Sequence, residues 1–436
     1  MIPLEKFMDF DPVLMKSIER LGYEVTVGDV AANSGLEINL AQKGLLALAS
    51  ETQGNLLVSE TGDIVYKFPR NFRFILTNRY WQLKFKEWIH GIWKVIFYLI
   101  RISFGIVLIL SILLMAIAII AILIAANLSQ NDNDRSYGGG GSSSNEGGGM
   151  IFWGNPFDSF WIFTPNYDSR QENIEPKKLN FLESVFSFLF GDGNPNADLE
   201  ERRWNQIGTV IRNNQGSIIA EQVAPYLDNV KNLENDDYIL PVLSRFNGYP
   251  EVSSTGEIIY YFPDLQVTTK SQSKTLVNHY LQEQPWEFTQ ATSGQVWGSI
   301  GLGSLNIALA FVLGNLLTGV AAAKLGALIT FVASIYPGLI FYAVAFFAVP
   351  LVRYFVLKTR NGKLEKRNLQ RQKTHDWLQN NLHSLQSKLL YARQFAQEKV
   401  IKAGDITYST EKGLLEQQIE QSDKIDQEWR RKLDQT

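Results

Sequence analysis

Side chains able to ligate metals or act as nucleophiles are sparse in this chain of 436 residues. There is no cysteine, which removes thiol catalysis, disulfides and thiolate-held metal clusters. The histidines are His90, His279, His375 and His383. His375 and His383 stand eight residues apart in a polar helical stretch, beyond the i,i+4 spacing of a metal pair, and read as a solvated face. No GxSxG, P-loop, HExxH or kinase-type set occurs. Asp192, Asn194, Asn196 and Asp198 alternate like the start of a calcium loop. Ala197, however, holds its glycine position, and Arg203 stands where the bidentate glutamate belongs. That run reads as a turn with Asx caps, and Glu200-Glu201 suit the helix start that follows. Gly298, Gly301, Gly303, Gly314 and Gly319 lie inside an apolar run, which is the setting for close helix packing in a membrane rather than a nucleotide loop. The expectation is a chain with no catalytic residue, cofactor or metal, and no enzyme.

The elements that would hold any site are organised by a duplication. VSETGDIVYKFP at 58–69 returns as VSSTGEIIYYFP at 252–263, with eight of twelve positions identical. Each copy reads as a β-hairpin with a Thr-Gly turn, stopped by proline. Before the first hairpin, Asp11 caps a helix bearing Leu14, Ile18 and Leu21, and Thr26 caps a second bearing Val27, Val30 and Ala31. After a Ser34-Gly35 turn, a third helix runs from Ile38 to Ser50 with Leu40, Leu45, Leu46 and Leu48. Three helices and a hairpin make a winged-helix-like module over 10–70. Its second copy spans 199–263, with Ile207, Val210 and Ile211, then Ile219–Leu227, then Tyr238–Phe246.

A DNA-reading third helix needs Arg and Lys for phosphates and base edges. Here Lys43 faces Glu37 and Glu51, and Arg245 faces Glu234, Asp236 and Asp237. An acidic helix is repelled by phosphate, and the net charge of −3 points the same way, so nucleic acid is not expected as a partner. Protein docking is, at the turn tips Thr61-Gly62 and Thr255-Gly256.

The N-terminus, MIPLEKFMDFDP, reads as neither a signal peptide nor a transit peptide. Residues 71–127 read as a basic, aromatic juxtamembrane helix leading into a first transmembrane helix, Ile102–Ala126, which is free of charge and long enough to span a bilayer. A Gly/Ser linker follows at 128–150. An aromatic interfacial segment over 151–198 offers Trp153 and Trp161 as further contact residues. The region 296–357 has room for two more spans, Gly298–Ala322 and Leu325–Leu357. The tail, 358–436, starts basic and continues with leucines at helical spacing, suited to a coiled-coil hairpin or partner-binding helix, with a last helix starting at Ser409-Thr410-Glu411. Basic flanks before Ile102 and after Leu357 both ask for the cytoplasmic side. Two or four spans satisfy both flanks, whereas three leave one terminus on the wrong side. The expectation is an inside N-terminus with three spans, set against these alternatives.

The runs NFLESVFSFLFGDGNPN (180–196), FWGNPFDSFWIF (152–163), the paired TGDIVYKFP and TGEIIYYFP, and RISFGIVLILSI (101–112) carry a resemblance. Together they resemble a membrane protein family of cyanobacteria and chloroplasts whose plant members are labelled "iron-sulfur cluster biosynthesis family protein". The resemblance implies a photosynthetic source and a thylakoid or plasma membrane location. Without cysteine, the chain lacks the usual ligands for a cluster and could only assist proteins that hold one. The expected fold is mainly α with small β-hairpins. The expected function is a non-enzymatic scaffold or assembly factor for membrane complexes, with the lipid bilayer, a membrane protein complex and a homo-oligomer as candidate partners. The alternatives are a small transporter-like or channel-like module and a membrane-tethered DNA-binding regulator.

Overall fold

A computed structural model describes residues 11–79, 81–131, 179–228, 230, 232–233, 235–271, 274–319, 326–413, 415–419, 422, 426 and 429–430. The N-terminal half holds α1 (Pro12–Leu21), β1 (Glu24–Thr26), α2 (Val27–Ser34), α3 (Ile38–Thr52), β2 (Asn55–Ser59), β3 (Ile64–Lys67), α4 (Phe72–Arg79) and α5 (Trp81–Asn131). Then come α6 (Phe181–Phe190), α7 (Leu199–Asn213), β4 (Ser217–Ile218), α8 (Ala220–Val223), α9 (Leu240–Phe246), β5 (Tyr249–Val252), β6 (Ile258–Tyr261), α10 (Pro263–Gln266) and β7 (Val267–Thr268). The chain continues with α11 (Ser293–Gly319), α12 (Ala327–Asn380), α13 (Gln386–Phe395), β8 (Lys399–Val400) and β9 (Ile406–Ser409). It is mainly helical, with small and chiefly antiparallel sheets. Two compact units emerge: Met1–Glu87 with Pro195–Pro285 and Lys363–Thr436, and Trp88–Asn194 with Trp286–Gly362.

The first unit is built from the duplication. In the first repeat, Asp11 accepts from the Val13 N–H at 2.8 Å, and Pro12 occupies a position of α1 that needs no N–H. Thr26 and Asp29 close a reciprocal capping box on α2, 3.0 Å in each direction. The sheet order is β1-β3-β2 in the first repeat and β4-β6-β5 in the second, so the hairpins hold equivalent places. The repeats share one apolar core: Leu14, Ile18, Leu45 and Phe68 meet Ile207, Ile211, Phe246 and Phe262. At ~1.5–3 kcal/mol per fully buried large side chain, this common core is what joins them. Their backbones come close where α2 passes α10 and α7. A Cβ on Gly28 would lie 1.8 Å from the Asp264 carbonyl oxygen, and one on Gly208 would lie 2.9 Å from Ala32 Cα.

Several elements differ from expectation. Ile219–Leu227 forms the single turn α8 and a 3-10 turn over Ala224–Tyr226, and a second 3-10 turn, Asp236–Ile239, precedes α9. Pro225 and Pro241 lack the N–H that a longer helix would use. The tail is not all helical, since it contributes β8 and β9, and Ser409 ends a strand instead of capping a helix. The basic run after Lys358 belongs to α12, which continues through Pro337 and Pro350.

The second unit holds helices long and apolar enough to cross a membrane: Gly91–Ala126, Ser293–Thr318 and the apolar part of α12. Gly303 and Gly314 of α11 meet large side chains of α12. A Cβ on Gly303 would strike Phe346, and one on Gly314 would strike the Tyr336 hydroxyl. Ser111 and Asn306 are buried between apolar helices and bonded at 2.9 Å. Helix α6 packs Val185, Phe188 and Leu189 with Leu108 and Phe346. Helix α5 extends to Asn131, past the expected linker start at 128. The rest of that linker and the aromatic residues, Trp153 and Trp161 included, lie outside the described residues.

Candidate interaction surfaces at the two wings

The two hairpin turns, called wings here, follow one design. In the first, the Ser59 N–H donates to the Asp63 carbonyl at 2.9 Å, and the Gly62 N–H donates to the Ser59 carbonyl at 2.9 Å. In the second, Ser253 and Glu257 pair in the same way at 2.8 Å, and Gly256 donates to Ser253 at 3.0 Å. The Ser59 hydroxyl accepts from the Asp63 N–H at 3.1 Å, as Ser253 accepts from Glu257 at 3.0 Å. Gly62 and Gly256 both have φ 84°, a left-handed value that favours glycine. Open space surrounds both, since a Cβ on either would meet nothing within 4 Å. Thr61 and Thr255 are exposed beside them. The spacing Ser-x-Thr-Gly-acid thus encodes both tips locally.

The C-terminal segment treats the two wings differently. Strand β9 pairs with β2 and extends the first sheet, placing Leu57 opposite Ser409 and Val58 opposite Tyr408. Lys399 donates to Thr61 and Asp63. Burial alone would raise the Asp63 carboxyl, but the bonds from Lys399 and Thr61 hold it below its ordinary value. At the second wing no described strand joins the outer edge of β5, whose partner is β6. There α13 covers the sheet, with Ala392 against Ile219 and Ile259 and with Leu385 and Leu389 alongside. Of the tail leucines expected in a coiled coil, Leu385 and Leu389 are therefore placed on the second repeat, whereas Leu382 and Leu390 are exposed. Lys388 reaches Glu221 at 2.8 Å, and the Tyr391 hydroxyl donates to the Val252 carbonyl at 3.2 Å.

The third helices offer little to nucleic acid. On α3, Leu40 and Leu46 are exposed, not buried with Leu45 and Leu48, and they share the outer surface with Lys43. Arg245 on α9 donates to the Gly35 carbonyl at 2.6 Å and lies over the Trp204 ring at 4.5 Å.

Sequence reasoning missed the buried ion pairs. Asp29 is 1 % exposed, pairs with Arg212 at 2.6 Å and accepts from the Thr268 hydroxyl at 2.8 Å, tying the first repeat to the second. Arg371 on α12 joins Glu283 at 3.0 Å and Asp228 at 2.5 Å. Burial would raise Glu283, but Arg367 and Arg371 hold it below the usual carboxylate range. Thr26 was visible as a helix cap, whereas the partners of Asp29 and Arg371 lie far along the chain. Of the two histidines expected on a solvated face, His383 is exposed, whereas half-buried His375 packs against His279, ring centroids 4.9 Å apart. In the near-miss calcium run, Asp192 pairs with Arg101, and Asn196 accepts from the Gln284 N–H at 2.7 Å. Among the described residues no group of three His, Cys, Asp or Glu is arranged for a metal.

With this geometry in place, the chain can be set beside known proteins. It is 38 % identical over 428 residues to an Arabidopsis thaliana protein, "Uncharacterized protein At5g03900, chloroplastic", covering 93 % of this chain and 80 % of that one. The chain belongs to the family of that chloroplast protein. The match to the At5g03900 family is long enough to take in both repeats and the apolar helices. No family model and no solved structure matches the chain.

Proposed function

We propose that this protein is a non-enzymatic integral membrane scaffold or assembly factor, docking proteins of a thylakoid or plasma membrane complex at its wings. The observation that carries this reading is the pair of exposed turns of one design, both braced by the C-terminal segment, in a chain with apolar helices of spanning length. Each repeat acts as a winged-helix-like module for protein contacts, because exposed leucines and an engaged arginine replace the free basic side chains of a DNA reader. The chloroplast relative favours a photosynthetic membrane. The iron-sulfur label of the resembling family would extend only to assisting clients, since the chain has no cysteine.

This reading sets a topology. The first unit draws on chain before α5, between α5 and α11, and after α12, so these portions share one side of the bilayer. On this reading α11 and α12 make an out-and-back pair, and an even number of crossings, one of the alternatives to three, satisfies both basic flanks. The cysteine-free sequence makes the test direct: Thr61→Cys and Thr255→Cys should react with an impermeant maleimide from the same face of sealed vesicles. Labelling from opposite faces would refute this arrangement.

For the scaffold itself, full-length protein tagged after Thr436 is purified from native membranes in mild detergent. A stoichiometric complex should co-purify, and Thr61→Arg with Thr255→Arg should release it without lowering the amount of protein. Full rescue of function by a chain lacking both repeats sinks the proposal. The second reading, a transporter-like module, has the buried Ser111–Asn306 pair in its favour. Against it stand Gly303 and Gly314 of α11, whose space is filled by Phe346 and Tyr336.

A further inference from the structure

The second unit carries an open groove of about 700 Å³ along α12. Its floor is one helical stripe, Phe341, Val344, Ala348 and Val352, which turns basic at Arg353 and Arg360. The facing wall is Phe190, the Asp192-Gly193 turn after α6, and Trp286. Asp192 of that wall and Arg353 of the floor are already engaged. Asp192 pairs with Arg101 and accepts from the Gln290 N–H at 2.9 Å. Arg353 donates to the Ser187 and Phe188 carbonyls at 3.3 Å and to Phe288. Arg360 differs: it lies over the Trp286 ring at 5.2 Å and has no carboxylate or carbonyl partner among the described residues.

We infer that this groove holds an anionic membrane lipid, with its headgroup at Arg360 and an acyl chain against Phe341–Val352. The inference rests on the reading of α12 as a membrane helix. From Phe341 to Arg353 the helix rises about 18 Å at 1.5 Å per residue, close to one leaflet of a hydrocarbon core ~30 Å thick. The basic end thus falls at interfacial depth, where tryptophan is favoured and Trp286 is found. A guanidinium presents a fork of donors that matches a phosphate or sulfonate, and the uncompensated charge of Arg360 selects an anion over a zwitterion. A peptide strand is a poor occupant, because its N–H groups would find no acceptor on an apolar floor at membrane depth.

Native mass spectrometry of the full-length protein, released from mixed phosphatidylglycerol and phosphatidylcholine micelles, tests the assignment. Phosphatidylglycerol should be retained in preference. Arg360→Gln should cut that preference about fivefold, the weight of one basic side chain at an anionic surface. Ala348→Trp, which fills the floor while keeping Arg360, should abolish retention. Lys358→Gln, on the same helix but outside the groove lining, should change nothing. Equal retention of both lipids, equal loss in Lys358→Gln and Arg360→Gln, or displacement of the lipid by inorganic phosphate overturns the lipid site. Alkaline extraction of native membranes tests the membrane reading separately. Release of the protein there removes that reading, whereas a protein that stays in the membrane but shows no lipid preference removes only the groove assignment.

Discussion

The first and second repeats have the same turn, the same strand order and a common core, yet their outer edges are finished differently. β2 receives β9 as a fourth strand, whereas β5 ends its sheet among the described strands and carries Pro250, which has no N–H to donate. One non-conservative position in the duplicated motif marks where this difference acts. Lys67 pairs with Glu411 at 3.2 Å, just beyond β9, while its counterpart Tyr261 stacks on Phe395 of α13 at 5.8 Å. A strand edge has been closed with a strand and a salt bridge in one copy, and a sheet surface with an aromatic helix in the other. The shared serine, threonine and glycine build the wing, and the divergent Lys67/Tyr261 position meets a different part of the tail in each copy.

If the repeats form one cooperative body, the largest effect comes from breaking their joint. Asp29→Ala leaves Arg212 nearly buried without its carboxylate, a loss of about 3–5 kcal/mol. Chemical denaturation followed by tryptophan fluorescence should show one transition shifted to lower denaturant, with amide exchange rising in both wings together. Exchange confined to the first wing would show that the repeats unfold separately. A smaller effect tests the equivalence of the tips. Gly62→Ala and Gly256→Ala each force an alanine to φ 84°, costing ~1–2 kcal/mol, and the two losses should agree because no neighbour crowds either site.

The wings were legible in sequence because a few adjacent residues determine them: a serine hydroxyl, a left-handed glycine and an acidic residue after it. The caps of α1 and α2 and the apolar helices were legible for the same reason. The tail strands were not. Ile406–Ser409 is a short β-prone run that becomes a strand because β2 offers an edge, and the Leu56 N–H reaches the Thr410 hydroxyl across a separation of 354 residues. Arg371 gave no sign of its burial either, since its acidic partners arrive from the segment 228–283. Of the candidate contact residues, Thr61, Gly62, Thr255 and Gly256 stand at the tips as their spacing implied, because the turn alone places them.

The unequal edges can be separated by a weaker perturbation. Lys399→Ala removes a half-exposed ion pair and a bond to Thr61, so the global loss is a few tenths of a kcal/mol. Its signature is local: faster amide exchange at Ile406–Ser409, where β9 holds to β2. Ser387→Ala, which removes the corresponding tail bond to Glu257, has no strand to release and should leave exchange in β5 unchanged. Faster exchange at β5 would mean that α13 protects that edge as a strand would.

The smallest effect distinguishes the copies by titration. The first repeat, residues 11–69, has no histidine, whereas the chain beyond β7 carries His279 against His375 and packs on the second, with the Tyr226 hydroxyl donating to Asn278 at 2.6 Å. Burial lowers the pKa of His375 and the neighbouring His279 lowers it further, against a weaker pull from Asp376. Between that lowered value and about 6.5 the unfolded chain binds the proton more tightly than the folded one. Stability from this group is therefore complete above about 6.5 and declines as pH falls through the window. His375→Gln should flatten the dependence between pH about 7.5 and about 5.5 in denaturation midpoints, and wild-type local amide exchange should rise next to His279 and His375 as pH falls through that window. A midpoint that falls equally in both proteins would assign the titration to groups common to the two copies.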